Sequence, residues 1–577
     1  MSLKICEKRQ SILDAVGHCL VLGGPGSGKT TLALLKALRK VDQKVRPGQS
    51  ILFLSFSRSA VARIAGAAKK DLPIDSRHVL SIQTFHSFFW QILQGHGYLV
   101  GAPRPLRIVQ SHEETSLRAG LKPDDEGWQE WVARRLKMFH DEGRICFDLF
   151  APITAELLKR AVGIRHRIAQ RHPLILVDET QDTSDDQWAC IRLLSGNSQI
   201  VCFADPDQMI YGHLPGVSAN RIPVIRNDLK PLEIDLGSEN NRSPGTEIVQ
   251  FARDIYVGTI RGSPYVGVTC RLFGPGAEVR DKIIRGSVGF LGKLIEKQTG
   301  SWPESIAIFS TYTRGVAVIT AALQQDKAIP HQVLFDEAFA LLSARAAAFL
   351  LEPKQEVRHT EDVAVLLELV AAAFRAKGTK GGRKLRDRCL SYATQLRAEK
   401  IPGVRIVKAA DAAVTAAQMH ALTGDPRKDW SATKKIMGNT GEQSFEDMAS
   451  QLDYLVAFAR GRRIAEALSA AWIEHGAYEN ARALLDAALA QDQLMSAGES
   501  LAGIHVMNSH KAKGKQFDGV VLYRQEHHAP FVWRAEAPPY AESRRLLHMA
   551  ITRARKHVLI VSEAFPGCPI LKWHKLS

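Results

Sequence analysis

The run Gly23-Gly24-Pro25-Gly26-Ser27-Gly28-Lys29-Thr30 has the residue types and spacing needed to hold a chain of phosphates. Its glycines let backbone N–H groups converge on phosphate oxygens, and a helix starting at the loop's end adds a favourable dipole. Lys29 is expected to reach the β- and γ-phosphates, and Thr30 to ligate Mg²⁺. This run alone says only that a nucleotide binds. A second group, Asp178-Glu179-Thr180-Gln181-Asp182, narrows the chemistry. Asp178 is placed to hold Mg²⁺ through water opposite Thr30. Glu179 is the natural general base for the attacking water. A phosphotransferase must keep water from the γ-phosphate, so the Asp-Glu pair points to hydrolysis.

The elements that must position these groups are short and apolar. Cys19-Leu20-Val21-Leu22 reads as a buried strand running straight into the glycine-rich turn, and Leu32, Leu34, Leu35 and Leu38 recur at helical spacing behind it. Leu174-Ile175-Leu176-Val177 is a second buried strand, ending at Asp178. Strand, turn, helix and a second acidic strand describe an α/β nucleotide-hydrolase lobe.

With the pentad in view, the chain resembles the UvrD/PcrA/Rep group of superfamily 1A DNA helicases, and further segments resemble that group's motifs in order. They are Lys8-Arg9-Gln10-Ser11, Phe53-Leu54-Ser55-Phe56, Thr84-Phe85-His86-Ser87-Phe88, Asp205-Pro206-Asp207-Gln208-Met209-Ile210-Tyr211, Asn241-Arg242-Ser243, Ser509-His510 through Gln516-Phe517, and Arg544-Arg545 through Thr552-Arg553-Ala554. The resemblance spans residues 10–561. It implies ATP and Mg²⁺ as cofactors and two RecA-like P-loop lobes carrying two mostly helical inserted domains. Residues 1–90 and 165–235 would form the first lobe and 91–164 its insertion. Residues 236–335 and 500–577 would form the second lobe and 336–499 its insertion. It further implies that Gln10 reads adenine, that Gln208 senses the γ-phosphate, and that Arg242 and Arg553 act as arginine fingers from the second lobe. Thr31 and Gln516 fall at nucleotide-contact positions, although Thr31 stands where an arginine is common and Gln516 where a glutamate is usual. The DNA track is assigned to Phe56, Thr84, Phe85, His86, Tyr211, His213 and His510. Phe56, Phe85 and Tyr211 would serve as stacking platforms, each worth about 1–3 kcal/mol per base. His213 stands where the group has a tryptophan and Asn241 where it has a tyrosine.

Composition agrees with this reading and excludes others. A chain of 577 residues exceeds what one core supports, so several domains are expected. With 45% hydrophobic and 24% charged residues it is globular in type, and its net charge of +16 favours a polyanionic partner. The eight cysteines are scattered without a C-x-x-C pair, which points to no zinc, no iron–sulfur cluster and a reducing compartment, and the resemblance implies a bacterial-type cytoplasm. Neither a signal peptide nor an apolar run of about 20 residues is present, so no membrane partner is expected. The stretch Ile464–Leu489 reads as helical, and Arg375-Ala376-Lys377-Gly378-Thr379-Lys380-Gly381-Gly382-Arg383-Lys384 reads as a basic loop, either contacting duplex backbone or merely solvated. No fused nuclease is expected after the last motif.

Two functions follow from the resemblance. The first is a translocase and helicase acting on single-stranded and tailed duplex DNA, with 3′-to-5′ polarity. The second is a DNA-sensing ATPase subunit that regulates a partner nuclease, as in phage-defence assemblies of the Gabija type.

Overall fold

The computed structural model describes residues 5–571, apart from 43–44, 57, 72–78, 119–120, 122, 124, 210–215, 218–219, 238, 326, 335–337, 377–379, 457–458, 495–500 and 534–535. Packing divides the chain into two compact units. The first comprises Met1–Phe89, Ala151–Phe335 and Ser496–Ser577, and the second Trp90–Phe150 and Asp336–Met495.

Along the chain come β1 (Cys19–Leu22), β2 (Ile51–Ser55) and β3 (Leu80–Thr84), then a short parallel pair, β4 (Arg107–Val109) and β5 (Arg144–Cys146), in the second unit. Next follow β6 (Leu174–Val177), β7 (Gln199–Ala204) and β8 (Leu232–Asp235). In the first unit these six build a wholly parallel sheet in the order β3-β2-β6-β7-β1-β8. A second parallel sheet follows, from β9 (Val268–Phe273), β10 (Ser305–Ser310), β11 (Gln332–Leu334), β12 (Gly503–Asn508), β13 (Phe517–Arg524) and β14 (Ala554–Glu563). Its order is β11-β12-β10-β13-β14-β9. Helices on both faces bury the central strands, which is why β2, β6 and β13 contain no exposed position.

Register sets the site. Leu22 pairs with Ala204 and with Asp235, and Leu54 pairs with Val177, so the carboxyl ends of β1, β6 and β7 lie side by side. The phosphate loop, Asp178 and Asp205 emerge from those ends, where ligands of parallel α/β sheets bind.

The second unit is helical apart from β4 and β5 among its described residues. Its core is built from alanine and leucine on closely packed helices, with Ala344, Ala346, Ala347, Ala364, Leu366, Leu367 and Val370 buried. The helix Ser111–Arg118, from the earlier stretch, packs against Ala338–Leu351 and His359–Ala376 from the later one, so the two stretches share one core. One expectation is corrected here. From Lys380 the basic run is the start of the helix Lys380–Arg397, not a loop. Cys389, Ala393 and Leu396 recur at helical spacing and are buried, which outweighs the cost of glycines in the first turn. Among the described residues no helix is long and apolar enough to cross a membrane.

Candidate active site

The phosphate loop runs from β1 into the helix Lys29–Asp42. Gly26 and Gly28 have φ of +88° and +89°, a conformation that costs other residues. Gly26 is doubly constrained, because a Cβ there would lie 3.2 Å from the Cβ of Arg242 and 3.3 Å from its backbone nitrogen. Asn241 N–H donates to Gly26 O at 2.9 Å. Ser27 Oγ donates to Gly24 O at 2.9 Å, fastening the turn. The Lys29 ammonium donates to Gly23 O and Gly24 O and lies 3.7 Å from Asp205.

Asp178 and Glu179 follow β6, and Glu179 has φ 53° and ψ 40°, left-handed backbone that a non-glycine residue holds at about 1–2 kcal/mol. Their carboxyls are driven apart. Burial, then the Glu179 charge, raises Asp178 above the ordinary carboxylate range. Glu179 is held below its range, because Lys513, Lys29, the Gln181 amide and Arg553 outweigh the effect of burial. A base that stays ionised beside a carboxylate able to take a divalent cation suits water activation. Asp205 is pushed up to about 6 by burial and by Glu179 and Asp207, against Lys29.

Three more groups close the site, and the motif comparison gave none of them a role. Gln181 donates to Glu179 Oε2 at 2.7 Å and accepts from Asp205 N–H at 3.0 Å, bridging the ends of β6 and β7. Lys513, from the turn between β12 and β13, pairs with the buried carboxylate of Asp182 and donates to Gln208 O at 3.1 Å. Arg63, on the helix Arg58–Asp71, donates to Gly514 O at 3.3 Å. Gln181 and Lys513 lie inside recognised segments, so their positions were visible, whereas Arg63 lies in no motif and its side chain is placed by tertiary packing alone.

The second sheet answers from the amino ends of β13 and β14. Arg553 is buried, and its guanidinium donates to Gln208 Oε1 at 2.8 Å, to Thr552 Oγ1 at 3.1 Å and, through Nε, to Met549 O at 2.9 Å. Arg242 donates to Thr552 O at 2.8 Å. With its amide oxygen turned toward them, Gln516 accepts from Arg63 Nη1 and Arg242 Nε, both at 3.1 Å. Burial pushes both arginines down, and Arg553 and Arg63 add to the shift at Arg242. A guanidinium does not give up its proton in a protein, so this crowding of charge is an unmet demand for an anion.

A triphosphate with Mg²⁺ fits these residues. Gly26 and Gly28 hold the loop in a positive-φ turn, buried Asp205 Oδ2 has no hydrogen-bond partner, and the buried Arg553 and half-buried Arg242 guanidiniums both reach Thr552. Thr30 and Asp178 are the candidate metal ligands. Thr31 is half-buried on the first turn of the loop's helix. Gln10 is exposed on the helix Glu7–Asp14 and donates to Asp14 at 2.9 Å, while its neighbour Arg9 is buried and bonds Ser27 O at 3.2 Å and Glu239 at 2.6 Å.

The residues assigned to the DNA track fare unequally. Phe85 is corrected: its ring is 1% exposed, packed between Phe56 at 5.0 Å and Phe89 at 5.9 Å, and offers no face to a base. It opens an apolar helix whose next turns also point into the core, so burial of the whole face won over display. Thr84 is buried, and its Oγ1 accepts from Ser87 N–H at 3.1 Å, capping that helix. Phe56 and His86 are half-buried, and His510 lies edge-on to Trp533 at 6.1 Å. Tyr211 and His213 lie outside the described residues.

Comparison with known proteins agrees with this geometry. Residues 6–140 and 122–220 match the family model of the UvrD/REP helicase N-terminal domain, and residues 442–564 match that of the UvrD-like helicase C-terminal domain. The chain is 27% identical to DNA helicase II of Haemophilus influenzae over 43% of its own length and 40% of that protein's. It is 24% identical to the ATP-dependent DNA helicase Rep of Escherichia coli over 47% of this chain and 46% of that one. A putative ATP-dependent DNA helicase of Bacillus subtilis, YjcD, is 22% identical across 96% of this chain and 78% of its own. The first two alignments thus span less than half of each relative.

Proposed function

We propose that this chain, which belongs to the UvrD/Rep-like DNA helicase family, is an ATP-driven motor that moves 3′ to 5′ on single-stranded DNA and opens duplex ahead of it. In this reading residues 1–90 with 165–235, and 236–335 with 500–577, are the two motor lobes, and 91–164 and 336–499 are their insertions. One observation carries it: Arg553, from the second sheet, holds Gln208, from the first, at 2.8 Å beside the buried carboxylates. Groups on two sheets share one hydrolytic site, so chemistry there and the relative position of the sheets are linked.

Bound Mg²⁺ would supply charge neutralisation between the phosphates. Lys29 and the loop N–H groups would bind the phosphates, Thr30 and Asp178 the metal. Glu179 would accept a proton from water, and Arg242 and Arg553 would take up charge on the γ-phosphate, a contribution worth about 10³–10⁵ in rate. The family names and the basic surplus support DNA as the track. The polarity rests on family likeness alone.

The test is ATP turnover with and without single-stranded DNA, followed by strand displacement on 3′-tailed and 5′-tailed duplexes. Turnover is expected to rise with DNA and to vanish in Lys29→Ala and Glu179→Gln. Turnover indifferent to DNA would remove the motor reading, and displacement of only 5′-tailed substrates would reverse the polarity.

A further inference from the structure

Arg63 has no role in the hydrolysis described above, yet its side chain ends in the same site. It stands on the helix Arg58–Asp71, which follows β2 of the first sheet. Its Nη1 donates to Gly514 O at 3.3 Å, in the turn between β12 and β13 of the second sheet. The same Nη1 reaches the amide oxygen of Gln516 at 3.1 Å, and Arg242 Nε reaches that oxygen at 3.1 Å as well. Two guanidiniums thus share one neutral acceptor. Their other hydrogen bonds among the described residues go to main-chain carbonyls, Gly514 O for Arg63 and Thr552 O for Arg242, so no carboxylate neutralises either.

This pair borders the phosphate loop, because a Cβ at Gly26 would lie 3.2 Å from the Cβ of Arg242. Burial, then Arg553 and then Arg63, push the Arg242 guanidinium down. Burial and Glu179 raise the Asp178 carboxyl, and Arg63 opposes them ahead of Lys29. An amide oxygen satisfies N–H donors but carries no charge, so the two cations are held together with their demand for an anion unmet. A carboxylate at 516 would accept the same bonds and quench that demand.

We propose that Arg63 is a specificity-determining residue of the nucleotide site: Gln516 holds it beside Arg242 without neutralising either, and the terminal phosphate of a nucleoside triphosphate supplies the missing anion. A diphosphate ends one phosphate short and leaves the pair unsatisfied. This role rests on the reading of the pocket as a nucleotide hydrolase and is independent of DNA.

The experiment is equilibrium binding of the full chain to ADP and to a non-hydrolysable ATP analogue, each with Mg²⁺, by calorimetry, beside ATP turnover and chemical unfolding without nucleotide. Arg63→Gln and Gln516→Glu are compared with the unaltered chain. Affinity for the triphosphate analogue is expected to fall about tenfold in each variant, with ADP affinity changed by less than about twofold. Gln516→Glu should also unfold at higher denaturant, so that stability and triphosphate affinity move in opposite directions. A merely structural contact would leave the preference for triphosphate over diphosphate unchanged in both variants, and that result overturns the proposal. Equal losses for ADP and the analogue would overturn it too, because they mark a damaged pocket rather than a lost terminal-phosphate contact. Should Arg63→Gln not fold, Gln516→Glu decides alone, since it keeps both hydrogen-bond acceptors in place. Failure of the unaltered chain to bind either nucleotide would remove the hydrolase reading and this role together, whereas normal binding and turnover with an unchanged preference in the variants removes this role alone.

Discussion

The two units put charge to opposite uses. The whole surplus of +16 lies in the first, since acidic and basic residues cancel in the second. In the first, ionised groups are drawn inward: Lys513, Asp182, Asp178, Asp205 and Arg553 are all buried at the strand ends. In the second, the core is mostly alanine, leucine and valine, and many of its ion pairs, such as Arg397 with Glu361 and Glu368, lie on the surface, with Arg135 beside Glu114 as a more buried exception. Buried ion pairs are weak contributors to stability but are costly to break from one side. The first unit therefore holds chemical function in a form that resists substitution, and the second holds shape in a form that tolerates it.

The sharpest way to break this comparison is catalytic. Arg553→Ala is expected to lower ATP turnover by about 10³-fold or more, with nucleotide affinity less affected, in steady-state kinetics against ATP concentration. Turnover within a few-fold of normal would mean that the second sheet takes no part in the site. A smaller effect is thermodynamic. Lys513→Met leaves the buried Asp182 carboxylate facing a methyl group and should cost about 3–5 kcal/mol in chemical unfolding of the first unit. Lys513→Met/Asp182→Asn should recover most of it, and failure to recover would show that packing, not charge, sets the loss.

The smallest effect belongs to the second unit. Burial, with Asp148 adding and Arg135 opposing, raises the carboxyl of Glu114 from 4.5 to about 7. The folded state therefore holds a proton that the unfolded chain has released, and stability contributed by that proton is lost as pH rises from about 4.5 to about 7. Denaturation followed at pH 5 and pH 8 should show this unit weaker at the higher pH, and Glu114→Gln should flatten the profile. A steeper profile in the variant would assign the effect to another group.

What the sequence disclosed divides along the same physical line. The phosphate loop and the acidic pentad are local, because their geometry is fixed by glycine conformations and by apolar strands a few residues long, so Lys29, Thr30, Asp178 and Glu179 were legible in place. Arg553 and Gln208 were legible as types, but their 2.8 Å contact joins residues far apart in the chain and needed the fold. Arg63 was invisible for that reason. Phe85 misled because an aromatic at a strand end looks alike whether it faces a base or the core, and only the packing of Phe56 and Phe89 decides. The basic run misled at Lys380, where two glycines suggested a loop and the apolar spacing further on imposed a helix.

The bond from Asn241 N–H to Gly26 O is made wholly of main chain. It ties the rim of the nucleotide pocket to the strand of polypeptide that departs for the other sheet, and the missing side chain at Gly26 lets the two run in contact. The loop is thus held directly to the segment that carries Arg242 without any side chain in between. Substitution of neighbouring side chains would leave this main-chain link whole.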